Sequence, residues 1–217
     1  MPDDVSQPRP EHLRQRLVAG TVALGLALGD AQHDALLDYL ALLARWNATY
    51  NLTAVREVEA MVERHLLDSL AIVPHVREAR VADLGTGAGL PGIPLAIARP
   101  DVQVVLVESN GKKARFLREA QRQLALANVV VREARAESGK PGEVDAVVAR
   151  ALAALPDLAA LAAHWLAAGG TLYAMKGPGH EDELRLLAPG WAHPRTERLA
   201  VPGLDADRYL VVLKRSV

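Results

Sequence analysis

The sequence predicts an α/β protein: a seven-stranded, mostly parallel open sheet with an antiparallel C-terminal strand, preceded by a helical N-terminal lobe. Three observations carry this. Apolar side chains recur at helical spacing through roughly the first eighty residues, and then the texture changes to short valine-rich runs alternating with helical patterns. Two further strands, "RTERLAVPG" and "DRYLVVLKRS", close the chain with no helix between them. The division falls at residues 1–78 for the helical lobe and 79–217 for the sheet domain.

Within the lobe, Leu36, Leu37, Leu40, Leu43 and Trp46 mark one helix face, with Asp30 as its N-cap. After the break "NATYNLTAV" the run "EVEAMVERHLLDSLAIV" predicts another amphipathic helix. From there the order is strand "RVADL", helix 92–99, strand "VQVVLVE", helix 111–126, strands "NVVVREA" and "VDAVVAR", helix 155–166 and strand "GTLYAMK". Strands that are apolar almost throughout lie in parallel sheets covered on both faces. The segment "ALAALPDLAALAAHWLAA" reads as one alanine-rich helix.

Bulk composition excludes some chemistry. Lys and Arg number 25 against 26 Asp and Glu, a net charge of −1, so any phosphate-binding face must be local. There is no cysteine, which removes disulfides, thiolate metal sites and a cysteine nucleophile. The histidines are scattered, and no metal site is expected. The N-terminal stretch lacks the apolar core of a signal peptide, and no apolar run is long enough to span a bilayer, so a cytoplasmic protein is expected, without a membrane partner and as a monomer.

The chemistry concentrates in "DLGTGAGLPGIP", residues 83–94. Its G-x-G-x-x-G, with Glu108 about twenty residues on, fits a dinucleotide site. Asp83 at the strand end and the alternation Gly85, Gly87, Gly89 fit S-adenosylmethionine better, because a pyrophosphate meets a like charge there while a sulfonium and an ammonium are attracted. Under that reading Glu108 takes the ribose hydroxyls and the glycines admit the methionine portion. A small NAD-dependent oxidoreductase remains the enzymatic rival, and an RNA-binding scaffold the non-catalytic one.

Taken together, "NLTAVREVEAMVERHLLDSLAI", "DLGTGAGLPGIPLAI", "GKKARFLREAQRQL", "VVARALAAL", "YAMKG" and "VPGLDADRYLVVLK" resemble, in order and spacing, the bacterial small-subunit ribosomal RNA methyltransferase G family, also called glucose-inhibited division protein B. The resemblance runs over residues 13–215; "NLT", "RHLLDS" and "GLPGIP" are its most distinctive pieces. It implies a Rossmann-like class I methyltransferase fold and methyl transfer from S-adenosylmethionine to N7 of one guanosine in the decoding-region loop of 16S rRNA, within the small subunit or an assembly intermediate. It places cofactor contacts at Gly85, Leu90, Ala136, Glu137 and Arg150, beside Asp83, Gly87 and Glu108 from the residues themselves.

The missing groups agree with that reaction. Methylating C5 of a pyrimidine needs a covalent cysteine, and the Asn/Asp-Pro-Pro-aromatic segment common in amine methylation is replaced by "VVARALAAL". Guanine N7 carries a free lone pair, so alignment and electrostatics suffice. Arg150 and Lys176 end strands at the rim where the methyl group lies and are the candidate catalytic residues; Lys176 reaches guanine or phosphate, or else caps its strand. Arg208 lines the entrance or forms a surface ion pair. His65, Asp68 and Ser69 share a helix face that either braces the helix or closes over the base together with Asn51 and Arg56. The basic segment 112–122 is a solvated face or an RNA-backbone contact.

Overall fold

The computed structural model describes residues 11–216; the polar stretch 1–10 and Val217 lie outside it. Helices α1 (Glu11–Ala23) and α2 (Asp30–Tyr50) lead into a helical run made of α3 (Val58–Met61), a π-helical segment (Val62–Leu67) and α4 (Asp68–Leu70). Alternation follows: β1 (Arg80–Leu84), α5 (Gly92–Ala98), β2 (Gln103–Glu108), α6 (Gly111–Gln123), β3 (Val129–Glu133), a 3-10 turn (Ala136–Ser138), β4 (Val144–Arg150), α7 (Leu155–Ala163) and β5 (Leu166–Lys176). Helix α8 (His180–Arg185) precedes the hairpin of β6 (Trp191–Leu199) and β7 (Arg208–Arg215).

The seven strands lie in the order β3-β2-β1-β4-β5-β7-β6, with β7 antiparallel to both neighbours and the other pairings parallel. Chain order reverses between β1 and β4. In an open parallel sheet that switch point opens a crevice at the carboxyl ends of the strands.

Side chains alternate across the sheet as the pleat requires. Leu172, Ala174, Val211 and Leu213 join α7 and Trp165 on one face, while Tyr173, Met175, Leu210 and Val212 join α5, α6 and the N-terminal helices on the other. That second core is continuous from Leu17 and Leu40 through Phe116 to the strands. Each fully buried leucine or phenylalanine in it contributes about 1.5–3 kcal/mol, so the helices are held against the sheet by the core itself. Polar ties add to this: the Tyr39 hydroxyl donates to the Ala88 carbonyl at 2.6 Å, and the Gln32 amide donates to the carbonyls of Ile97 and Ala98 at 3.0 and 3.1 Å.

Two local expectations are corrected, and one helix is added to those the sequence showed. Asp30 is the first residue of α2 rather than its cap; Gly29 holds the cap position and its amide donates to the Gln32 side chain at 3.0 Å. The alanine-rich helix stops at Ala163, because Leu166 pairs with Val144 and the Trp165 indole donates to the Ala136 carbonyl at 2.6 Å. Strand pairing therefore overrides the helical preference of the alanines. Helix α8 was not anticipated: its six residues are too few to show a period.

Candidate active site

The turn after β1 is shaped by one buried carboxylate. Asp83 Oδ2 accepts from the Thr86 hydroxyl at 2.5 Å and from the Gly92 amide at 2.7 Å, which ties strand end to helix start. Gly92 must be glycine, because a Cβ would stand 2.7 Å from Asp83 Oδ2 and 2.3 Å from Leu106 Cδ2. Gly85 takes φ +61°, and a Cβ there would meet Leu152 at 2.4 Å. Burial pushes the Asp83 carboxyl up to about 7, against the pull of its two hydrogen bonds. Its second oxygen is buried with no partner among the described residues.

Glu108 ends β2 opposite this turn. The Gly87 amide donates to its Oε2 at 2.9 Å and the Asn110 amide to its Oε1 at 2.8 Å, so the carboxylate is oriented while each oxygen keeps a lone pair. The space a Cβ would fill at Gly87 holds nothing nearer than the Gly85 carbonyl at 3.9 Å. Leu90 lies in the core, 5% exposed. Ala136 presents its carbonyl to the Trp165 indole, while the Glu137 side chain is exposed. A fixed acid, an open glycine and an orphaned carboxylate oxygen fit S-adenosylmethionine: the Glu108 carboxylate can receive ribose hydroxyls.

Beyond β4 and β5 lies an open cleft of about 1230 Å³, lined by the 55–68 segment, Arg150, Lys176, Glu183 and the loop before β7. Gly85, Gly87 and Glu108 are not part of its wall, although Ala151 in that wall is followed by Leu152, which packs against Gly85. Asp68, only 2% exposed, organises the cleft: Arg150 Nη1 donates to its Oδ2 at 2.7 Å and Arg208 Nε to its Oδ1 at 3.0 Å. Arg150 Nη1 also reaches the Arg64 carbonyl at 3.0 Å. Lys176 donates to Glu183 at 2.6 Å and to the Ala153 carbonyl at 3.0 Å. Burial raises the Glu183 carboxyl, but the Lys176 ammonium and the Leu155 amide outweigh it and hold the group below its usual range.

The helix-face residues divide. His65 sits against the Thr53 hydroxyl at 2.8 Å, and burial lowers its imidazole, so it is neutral near pH 7. Ser69 is fully buried, its hydroxyl without a partner among the described residues. Asn51 and Arg56 are exposed and joined to each other at 2.5 Å. On the basic segment, Arg118 pairs with Glu133 and Arg122 with Glu119, while Lys112 and Lys113 carry no side-chain partner among the described residues. The role of Asp68 as the acid shared by Arg150 and Arg208 was missed in the sequence; its i+3 spacing from His65 showed only a shared helix face. Glu183 was missed as well, since its helix was.

This strand order, with a glycine turn after the first strand and an acid ending the second, is that of a Rossmann-like class I methyltransferase. Solved structures agree: a predicted O-methyltransferase from Agrobacterium tumefaciens superposes with TM-score 0.57 at 28% identity, covering 70% of this chain and 80% of that one. M. jannaschii TYW2, solved with AdoMet, shares the fold at TM-score 0.51 and 17% identity over 65% of this chain and 70% of its own. The model of the rRNA small subunit methyltransferase G family, GidB, matches residues 32–211. The ribosomal RNA small subunit methyltransferase G of Xanthomonas oryzae pv. oryzae is 57% identical over 83% of this chain and 86% of its own length, and that of Stenotrophomonas maltophilia 53% over 94% and 98%. The chain belongs to the rRNA small subunit methyltransferase G family. Among the described residues no helix is long and apolar enough to cross a membrane.

Proposed function

We propose that the chain transfers a methyl group from S-adenosylmethionine to N7 of one guanosine in the decoding-region loop of 16S rRNA, with the substrate entering between the helical lobe (1–78) and the sheet domain (79–217). The observation that carries the cofactor half is Glu108, preset by two backbone amides beside the open Gly87. The bound cofactor supplies an electrophilic methyl group on a sulfonium. Asp83 favours the ammonium and sulfonium end, and Arg150, near enough to lower the Asp83 carboxyl electrostatically, is placed for the methionine carboxylate. Together they suit a zwitterion.

The cleft supports direct transfer to a nitrogen that has no proton to lose. Its buried acid Asp68 is committed to two arginines and Glu183 to Lys176, so neither stands free as a general base. Arg150 keeps Nε and Nη2 unpaired among the described residues, and Lys176 has a third donor to spare; either can hold guanine O6 or a neighbouring phosphate. Binding and orientation then supply the rate.

The test is incubation of the protein with labelled S-adenosylmethionine and unmethylated small subunits or 16S rRNA, followed by mass-spectrometric mapping. A single N7-methylguanosine is expected. Label on a carbon or an exocyclic amine, or stronger calorimetric binding of NADH than of S-adenosylmethionine, overturns the reading.

A further inference from the structure

Outside the cleft, the surface shared by α2 and α6 combines an exposed aromatic ring with unpaired cations. Trp46 packs on Tyr50 with ring centroids 5.2 Å apart and meets the buried Phe116 edge-on at 5.6 Å. Tyr50 is 40% exposed, one of the few large apolar side chains left in water. Lys112 and Lys113 stand four and three residues before Phe116, the α6 residue that Trp46 meets, so helical spacing sets them in the turn next to it. Their ammonium groups have no ion pair among the described residues, whereas Arg118 and Arg122 further along do. They also sit in the first turn of the helix, where the backbone dipole disfavours cations and no acid offsets them. Helix stability does not explain their position.

The face begins beside the cofactor site, because Asn110, which caps α6, also donates to the Glu108 carboxylate. We infer that it is a second RNA contact: a base of the unpaired rRNA flanking the target guanosine stacks on Tyr50, and the adjoining phosphates lie against Lys112 and Lys113. Charge complementarity selects RNA over an apolar partner, and the propped aromatic ring offers the π-face that stacking requires. The inference rests on rRNA being the substrate and extends that site beyond the reacting base.

The experiment measures binding of the full-length protein to naked 16S rRNA and to unmethylated small subunits across a salt series, with cofactor affinity read in parallel by calorimetry. Tyr50→Ala is expected to weaken rRNA binding about tenfold and Tyr50→Phe to restore it. The double variant Lys112→Gln with Lys113→Gln is expected to reduce the slope of log K against log salt by about 1.4, two single-strand phosphate contacts, at unchanged cofactor affinity. Unchanged rRNA affinity and slope overturn the inference. So does a loss confined to assembled subunits, which assigns the face to a ribosomal protein. The two readings separate cleanly: wild-type protein that binds rRNA through this face yet transfers no methyl group defeats the proposed reaction and leaves the contact standing, and normal methylation with unaltered affinity in the variants does the reverse.

Discussion

The two halves of the crevice are built from different materials. At the ends of β1 and β2 the working groups are backbone amides and short acids: Asp83 holds Thr86 and Gly92, and Glu108 is held by Gly87 and Asn110. At the ends of β4, β5 and β7 they are long cations, Arg150, Lys176 and Arg208, tethered to Asp68 and Glu183 from other elements. Short groups on a rigid turn cannot move far, which suits a cofactor of constant shape. Long side chains can release one partner and take another, which suits a bulky RNA that must enter and leave.

Removing a rigid group should therefore cost more than removing a tethered one. The largest effect is expected for Asp83→Ala, which strands two buried donors at roughly 1–3 kcal/mol each and takes away the charge proposed to favour the cationic end of the cofactor. Calorimetry should show at least about a hundredfold loss of cofactor affinity, and denaturant titration a matching loss of stability; retained affinity would remove the contrast. Lys176→Ala comes next. A fall in turnover of about tenfold to hundredfold is expected with near-normal cofactor affinity, because the exposed end of the cleft can admit water around Glu183. The opposite pattern would place Lys176 with the cofactor.

Proton linkage sharpens the same contrast. Asp83 has a folded value of about 7 against an ordinary 3.8, so the folded state holds the proton more tightly and its contribution to stability declines as pH rises between those two values. A cationic ligand favours the ionised form. Cofactor affinity should thus rise about tenfold from about pH 6 to about pH 8, with proton release, and Asp83→Asn should flatten the profile. The smallest effect is expected at the far end of the sheet, where Arg80 pairs with Asp145 in the open. Arg80→Ala should leave methylation within about twofold, and a larger loss would mean the sheet transmits strain from one end to the other.

Legibility in the sequence follows the same division. The glycine turn, the acid ending the second strand and the succession of strands and helices could be read because each depends on neighbours close in the chain: a strand, a turn needing positive φ at Gly85, a helix. The basic segment 112–122 was visible as charge, but which of its cations are free depended on Glu133 and Glu119 reaching Arg118 and Arg122. The end of the alanine-rich helix was misplaced because alanine spacing cannot report that Leu166 has a strand partner.

The sequence by itself determined the α/β alternation, the turn and its acids, and the absence of a cysteine nucleophile, since these are matters of local period, backbone freedom and composition. Only the tertiary structure decided that Asp68 on the helical lobe would hold Arg150 from β4 and Arg208 from β7, residues 82 and 140 positions away. No local pattern encodes such a pairing: a buried carboxylate must find its counter-charges among whatever side chains the packed core brings to it, and that is settled only when helices and sheet close on one another.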